Sequence, residues 1–510
     1  MKIVKKLSRI IFGRTTFTIL SLAIQILFFY YATFIFSEYL TWITSGSRIL
    51  SFIVTLYILN TDDNPSFKIA WIIPVLLMPV FGTLIYLFFQ LQLSHKIMKH
   101  IFTVIKNESK RYLMQDEEIF NELEKEESDI SKICNYVKKG SNYPIYNKTE
   151  TIYYPLGDEA FMKMKEELLK AEKYIFLEYF IISKGKMWSE ILEILKKKIN
   201  EGVLVRLMYD GTNSIINLPY DYKEELKSYG IEVRVFSPIR PIISTYQNNR
   251  DHRKILVIDG KKAFSGGINL ADEYINERIR FGHWKDNAIY FEGEAVKSFV
   301  VMFMQMWNAI GEKELDYSIY FNEKKKKSDG YVLPYADNPL DDNRIGRNIY
   351  LDLIHSAKKY IYIMTPYFIV DDEMLSALRH ASESGVETVI LLPQIPDKKY
   401  ANMLAKTYYK ELILSGVKIF EYKKGFVHSK VMITDGLYAT VGTVNLDYRS
   451  LYLHFECGSL LYKCSTIKKI EYDFLESIEK SERITMKEYK KIPVIERMIG
   501  RILRLFAPLM

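Results

Sequence analysis

The sequence predicts an α/β protein of two tandem domains with mixed β-sheets packed face to face, preceded by N-terminal transmembrane helices. Three observations lead there. Two long charge-free apolar runs lie within the first 91 residues. The strand and helix alternation of KAEKYIFLEYFIISKGKMWSEILEILKKKINEGVLVRLMYD (170–210) returns in the same order in SAKKYIYIMTPYFIVDDEMLSALRHASESGVETVILLP (356–393). A His-Lys-Asp pattern at 252–259 returns 176 residues later at 428–435. Strands alternating with helices of ten or more residues form α/β domains, and self-similarity at a fixed offset marks an internal duplication.

In chain order, FTILSLAIQILFFYYATFIF (17–36) has no charge and the length of about 20 residues that a helix needs to cross the hydrocarbon layer. IAWIIPVLLMPVFGTLIYLFFQL (69–91) reads as a second span, with Trp71 as an interfacial anchor and Pro74, Pro79 and Gly82 as residues that spanning helices tolerate. Residues 39–60 are a marginal third, because Arg48 falls in mid-segment. A cleaved leader does not fit 17–36, which is too long for a signal core and lacks a small-residue cleavage site. Basic residues flank this region at Lys2, Lys5, Lys6, Arg9 and Arg14 and again at Lys96, Lys99, Lys106, Lys110 and Arg111, which places both flanks in the cytoplasm of a multi-pass cell-membrane protein.

The resulting division is a membrane anchor (1–92), a polar helical connector (93–145), a first catalytic half (146–322), a linker (323–330), a second half (331–485) and a basic amphipathic tail (486–510). The linker's four-lysine run reads as a solvated loop, since no aromatic residues are interleaved to stack bases; no nucleic-acid partner is expected. In the tail, Val494, Ile495, Met498, Ile499, Ile502, Leu503 and Phe506 share one helical face, with Arg497, Arg501 and Arg504 elsewhere, a pattern suited to a membrane surface. The formal charge of +8 likewise suits an anionic partner. Cys134, Cys457 and Cys464, odd in number and without CxxC spacing, argue against a disulfide framework or zinc site and fit a reducing compartment.

The two motifs, DHRKILVIDGKKAFSGGIN (251–269) and VHSKVMITDGLYATVGTVN (427–445), define the chemistry. His252 and Lys254, and likewise His428 and Lys430, lie two apart on a predicted strand, so both side chains leave one face. A lysine is a point charge for a phosphate oxygen, and an imidazole is a nucleophile or proton carrier near neutrality. The turns SGGIN and VGTVN let backbone approach closely and set Asn269 and Asn445 as neutral donors. Brought together, the copies fit a phosphodiester: one histidine attacks phosphorus while the other exchanges protons with the leaving and entering alcohols. Lysines and asparagines would stabilise the equatorial oxygens. The pattern calls for no cofactor and no metal, since HExxH, Cys/His and EF-hand signatures are missing from the sequence. The spacing leaves open which histidine attacks. Asp259 and Asp435, seven residues past their histidines at the strand ends, read as structural members of the motif. The other six histidines, His95, His100, His283, His355, His380 and His454, read as surface or packing residues.

This doubled HxKx4Dx6G(G/S/T)xN pattern resembles the phospholipase D superfamily. Within it the chain is similar to bacterial cardiolipin synthases, on the strength of NPSFKIAWIIPVLLMPVFGTLIYLFF (64–89), GHWKDNAIYFEG (282–293), MTPYFIVDDEML (364–375) and NLDYRSLYLHFE (445–456). Two departures are Val370, where proline is expected, and His454, where asparagine is commoner; neither is expected to touch the phosphate site. The resemblance implies two phospholipase D-like domains, His252 as nucleophile, His428 as general acid and base, and Asp286 and Glu456 as acids orienting the imidazoles. It further implies transfer of a phosphatidyl group between two phosphatidylglycerols, giving cardiolipin and glycerol. A phospholipase D-type hydrolase or another phosphatidyltransferase would carry the same site residues. A non-catalytic membrane scaffold is disfavoured by the intact His-Lys pair in both copies.

Overall fold

The structure, a computed structural model, describes residues 41–90, 93–126, 129–212, 217–219, 221–238, 248–322 and 325–509, with isolated positions between 23 and 34. The first half supplies β1 (Thr149–Tyr154), β2 (Tyr174–Tyr179), β3 (Leu204–Asp210), β4 (Glu232–Phe236), β5 (Lys254–Ile258), β6 (Lys262–Gly266), β7 (His283–Lys285) and β8 (Ala288–Gly293). The second supplies β9 (Tyr331–Asp337), β10 (Tyr360–Met364), β11 (Phe368–Ile369), β12 (Glu387–Pro393), β13 (Lys418–Tyr422), β14 (Gly425–Val427), β15 (Val431–Thr434), β16 (Tyr438–Gly442), β17 (Leu446–Asp447), β18 (Glu456–Tyr462) and β19 (Ser481–Ile484).

The sheets run β1-β8-β6-β5-β2-β3-β4 and β19-β13-β12-β10-β15-β16-β18-β9. Read from opposite ends they are the same sheet: β2, β3 and β4 are parallel, as are β10, β12 and β13, while the motif hairpins β5–β6 and β15–β16 and the strands beyond them are antiparallel. Strand β19 is an addition to the second. The strands are mixed because a hairpin needs only a short turn, whereas each parallel step needs a helical crossover.

Side-chain alternation divides the interior. Leu256 and Ile258 of β5 face an outer core under the helices of the first half. Ile255 and Val257 face a cluster that continues into the second half. Between the halves lies a helix, Val296–Ala309, whose Phe299, Val300, Val301, Met302, Phe303 and Met304 are all fully buried, as a helix apolar all round must be. It touches β5, β6 and β8 on one side and β9 on the other, and β16 adds direct contacts to β6 and β8.

The N-terminal region corrects the expectation of transmembrane helices. Among the described residues no helix is long and apolar enough to cross a membrane; the expected span at 17–36 falls outside the described residues apart from isolated positions. The marginal third span is a helix, α1 (Thr41–Leu59), carrying Arg48. The expected span at 69–91 is two antiparallel helices, α2 (Pro65–Leu77) and α3 (Pro79–Gln90). Pro79 lacks an N–H and disfavours helical backbone at the residue before it, and Met78 accordingly sits at φ −132°, ψ 72° with its N–H capping Pro74 O. The chain turns back there, bringing Trp71 to 5.5 Å from the rings of both Tyr86 and Phe89. Legs of 13 and 12 residues are about 18–20 Å long, short of a hydrocarbon layer of about 30 Å.

In the tail, α4 (Val494–Phe506) lies on the helix Lys399–Leu414. Gly500 is the buried contact, where a Cβ would meet Met403 O at 2.6 Å. Arg504 also faces inward, over the Tyr408 ring and bonded to Glu411. Val494, Ile495, Met498, Ile499 and Ile502 are exposed, whereas Leu503 of the expected apolar face packs on the core.

Candidate active site

Two short parallel pairings between the halves build the site. Strand β14 lies beside β7 with Gly425 opposite His283, Phe426 opposite Trp284 and Val427 opposite Lys285. One step further in that register sets His428 beside Asp286, and their Nδ1 and Oδ2 atoms are 2.6 Å apart. The converse pairing is a bridge between Asp251 and Phe455. One step on, His252 Nδ1 meets Glu456 Oε1 and Oε2 at 2.9 and 3.0 Å. Backbone bonds lock both registers, His252 N to Phe455 O at 2.9 Å and His428 N to Lys285 O at 2.7 Å. Each half therefore supplies the acid that orients the other half's imidazole.

These backbone bonds also correct the local expectation. His252, His428 and Lys430 precede strands β5 and β15 rather than lying within them, because the amides of the two histidines are used across the domain boundary. Both lysines turn back onto their own histidines. Lys254 Nζ donates to His252 O at 2.6 Å; Lys430 Nζ donates to His428 O and lies 2.9 Å from His428 Nδ1.

All four groups are buried and share one field. Burial, then the charges of Lys254, Lys430 and His428, hold the His252 imidazole well below its usual range. Burial and Lys430, opposed by Asp286, bring His428 to about 4. Burial lowers Lys254 to about 8 and Lys430 to about 7, the latter helped by Lys254 and resisted by Asp286. For Asp286 the penalty of burial is outweighed by His428 and Lys430, and its carboxyl stays below its usual value. Burial thus favours neutral imidazoles, and a bound anion would raise the charge of both lysines.

Asn269 is built into the wall, its Oδ1 accepting from Ile181 N at 2.9 Å and its Nδ2 donating to Tyr274 OH at 2.7 Å. Asn445 leaves its buried Oδ1 without a partner among the described residues. Asp259 and Asp435 lie away from the imidazoles and lysines. Asp259 accepts from the amides of Glu172, Lys173 and Tyr174 at 2.7–2.9 Å, and Asp435 from those of Lys358, Lys359 and Tyr360 at 2.7–2.8 Å. Both adopt positive φ, 53° and 56°. They brace the turn entering β2 and β10, a strand length of about 16 Å from the lysines.

His454 is the residue that sequence reasoning misplaced. It packs against His252, with ring centroids 5.5 Å apart, and His252 has Phe180 on another side at 5.0 Å. The signal lay in the duplication: His454 stands two residues before Glu456 as Trp284 stands two before Asp286, and Trp284 flanks His428 at 5.4 Å. Also missed was Arg253, which leaves the opposite face of the motif to lie within 3.9 Å of buried Glu178. Burial, then Asp251, raises the Glu178 carboxyl well above its usual range.

Two imidazoles, each backed by a buried carboxylate from the opposite half and each with a lysine turned onto its own carbonyl, make on this duplicated α/β core a site suited to phosphodiester transfer. Comparisons with known proteins agree. A family model described as cardiolipin synthase, PLD-like domain, matches residues 164–307 and 350–478, and one described as phospholipase D-nuclease N-terminal matches 49–90. Cardiolipin synthase 2 of Bacillus cereus is 35% identical, over 90% of each chain, and cardiolipin synthase of Alkalihalophilus pseudofirmus is 35% identical over 90% of this chain and 92% of its own. An uncharacterized protein of Streptococcus mutans is 45% identical over 89% of this chain and 99% of its own. The chain belongs to the cardiolipin synthase family of phospholipase D-like proteins. The solved phosphatidylserine synthase of Haemophilus influenzae shares the fold, with TM-score 0.54 and 16% identity over 70% of this chain and 93% of its own.

Proposed function

We propose that this chain is a phosphatidyltransferase that joins two phosphatidylglycerols into cardiolipin. The observation that carries the reading is the crossed pairing of two buried imidazole–carboxylate couples across one pair of lysines. Neutral His252, its Nδ1 proton directed to Glu456, attacks the phosphorus of the first lipid through Nε2. The bond from phosphorus to the glycerol oxygen breaks, and His428 gives that oxygen its proton. The second lipid's hydroxyl then loses its proton to His428 and attacks phosphorus; the P–N bond breaks and His252 is regenerated. Lys254, Lys430, Asn269 and Asn445 stabilise the equatorial oxygens. The phosphodiester anion supplies the negative charge that lets His428 hold its proton.

The same proposal puts the catalytic halves on the cytoplasmic face of the cell membrane, against its anionic surface. Leu76, Leu77 and Met78 at the tip of the α2–α3 hairpin are exposed, as is the apolar face of α4. These two elements touch, which gives one apolar platform. A cavity of about 970 Å³ beside the hairpin is lined by Phe67, Trp71, Phe89, Leu340 and Leu453, with Lys99, Arg344 and the aspartates Asp62, Asp63, Asp341 and Asp342 among its polar residues, and its apolar wall suits a lipid chain. The deciding experiment supplies phosphatidylglycerol vesicles alone. Cardiolipin with equimolar glycerol supports the proposal; phosphatidic acid would make the chain a hydrolase, and no turnover a scaffold.

A further inference from the structure

His454 has a chemistry that the transfer reaction does not use. It is 8% exposed, yet among the described residues neither ring nitrogen has a hydrogen-bond partner; Glu456 lies beside it, with Oε1 3.7 Å from Nδ1. Buried polar atoms without partners are costly. Packing alone does not require this one, because Trp284 fills the equivalent place beside His428 with a largely apolar ring. The five-residue wide turn Arg449–Leu453 carries His454 inward, with His454 N bonded to Arg449 O at 2.8 Å. Wide helical turns of this kind are rare and are found mostly at functional sites.

We infer that His252, His454 and Glu456 form a binding site for a borderline-soft divalent metal of the Zn²⁺ type, whose occupation switches the enzyme off. One donor atom from each of the three lies within 4.8 Å of the others, and all three residues are buried. Two imidazoles and a carboxylate are a standard Zn²⁺ donor set. Zn–N and Zn–O distances of about 2.0–2.2 Å require donors closer together than this, and a turn of the His454 ring, held by packing on His252 rather than by a hydrogen bond, would bring its nitrogen to Glu456. The fourth position is open to water. Binding draws Glu456 from its bond to His252 and takes the place of the Nδ1 proton, which moves to Nε2 and so removes the lone pair that attacks phosphorus. The metal is an inhibitor here and takes no part in the transfer chemistry. Its binding stands on the geometry alone, and its inhibitory effect rests on the transferase reading.

The test uses the full chain in detergent, stripped with chelator. Equilibrium dialysis with ZnCl₂ should load one equivalent of metal reversibly, and both His454→Asn and His454→Gln should weaken that binding by at least about tenfold. Co²⁺ in place of Zn²⁺ should give a visible spectrum without thiolate charge-transfer intensity. In vesicles of phosphatidylglycerol, Zn²⁺ should abolish turnover of the wild type with recovery on chelation, and the inhibitory concentration should rise in parallel for the two variants. Melting curves establish that each variant is folded. Equal Zn²⁺ affinity in wild type and both folded variants, or a Co²⁺ spectrum with thiolate character from one of the buried cysteines, would overturn the inference. Metal binding without any lipid turnover would instead sink the transferase reading and leave the site standing.

Discussion

Replacing Asp286 by Asn while leaving its shape intact should separate the two histidines by role. Asp286 is fully buried and sits 2.6 Å from His428 Nδ1, which puts the charge centres of carboxylate and imidazolium about 4 Å apart. At an effective dielectric of about 20, the lost attraction is about 4 kcal/mol, or about three powers of ten in the population or reactivity of protonated His428. With phosphatidylglycerol, whose glycerol must leave protonated, kcat should fall by about 10³. With the p-nitrophenyl ester of phosphatidic acid, whose phenolate leaves unaided, the loss should shrink below about tenfold. Glu456→Gln acts on the attacking imidazole and should slow both substrates alike. The assay is release of glycerol and of p-nitrophenol, compared for each variant by single turnover. If Asp286→Asn were equally slow on both substrates, His428 would not be the proton donor; if Glu456→Gln were the variant rescued, the roles of the histidines would be exchanged.

Anion binding should weaken with rising pH: Lys430 near 7 and Lys254 near 8 lose their charge in turn, so the Kd for vanadate or tungstate, measured by calorimetry, should increase from pH 6.5 to 8.5 with proton uptake on binding. Gly267→Ala should mimic Asp286→Asn, because its Cβ would lie 1.9 Å from Asp286 Oδ1 and displace the carboxylate from His428; a variant with wild-type turnover would refute that packing. Asp435→Ala should cost about 2 kcal/mol of stability by removing the acceptor of three amides, of which those of Lys358 and Lys359 reach water, seen as a lowered denaturation midpoint, while kcat of the folded protein changes less than about threefold. Asp435→Asn, which tolerates the positive φ of 56°, should lose less.

Much of this architecture is legible in the residue pattern. The repeat offset gives two like sheets, and seven strands of each keep the same order. Alternation in β5 gives a two-faced strand with Ile255 and Val257 turned to one core and Leu256 and Ile258 to the other. The membrane segment was misread because charge-free composition at 69–91 does not encode direction: Pro79 reverses the chain, and only the approach of Trp71 to Tyr86 and Phe89 reveals the hairpin. His454 escaped notice for a related reason, since a lone histidine in a sequence has no address until a turn delivers it.

The order of residues alone specifies the chemical inventory: paired imidazoles and ammonium groups, the bracing aspartates, and a gene-doubled scaffold to carry them. Which acid serves which imidazole is set by folding, through two short parallel pairings that shift Asp286 to His428 and Glu456 to His252. Sequence spacing cannot express that exchange, because hydrogen-bond register between segments 142 and 204 residues apart depends on how two completed domains meet. Burial of the lysines and histidines, which moves their proton affinities to where an anion is needed, arises at the same junction.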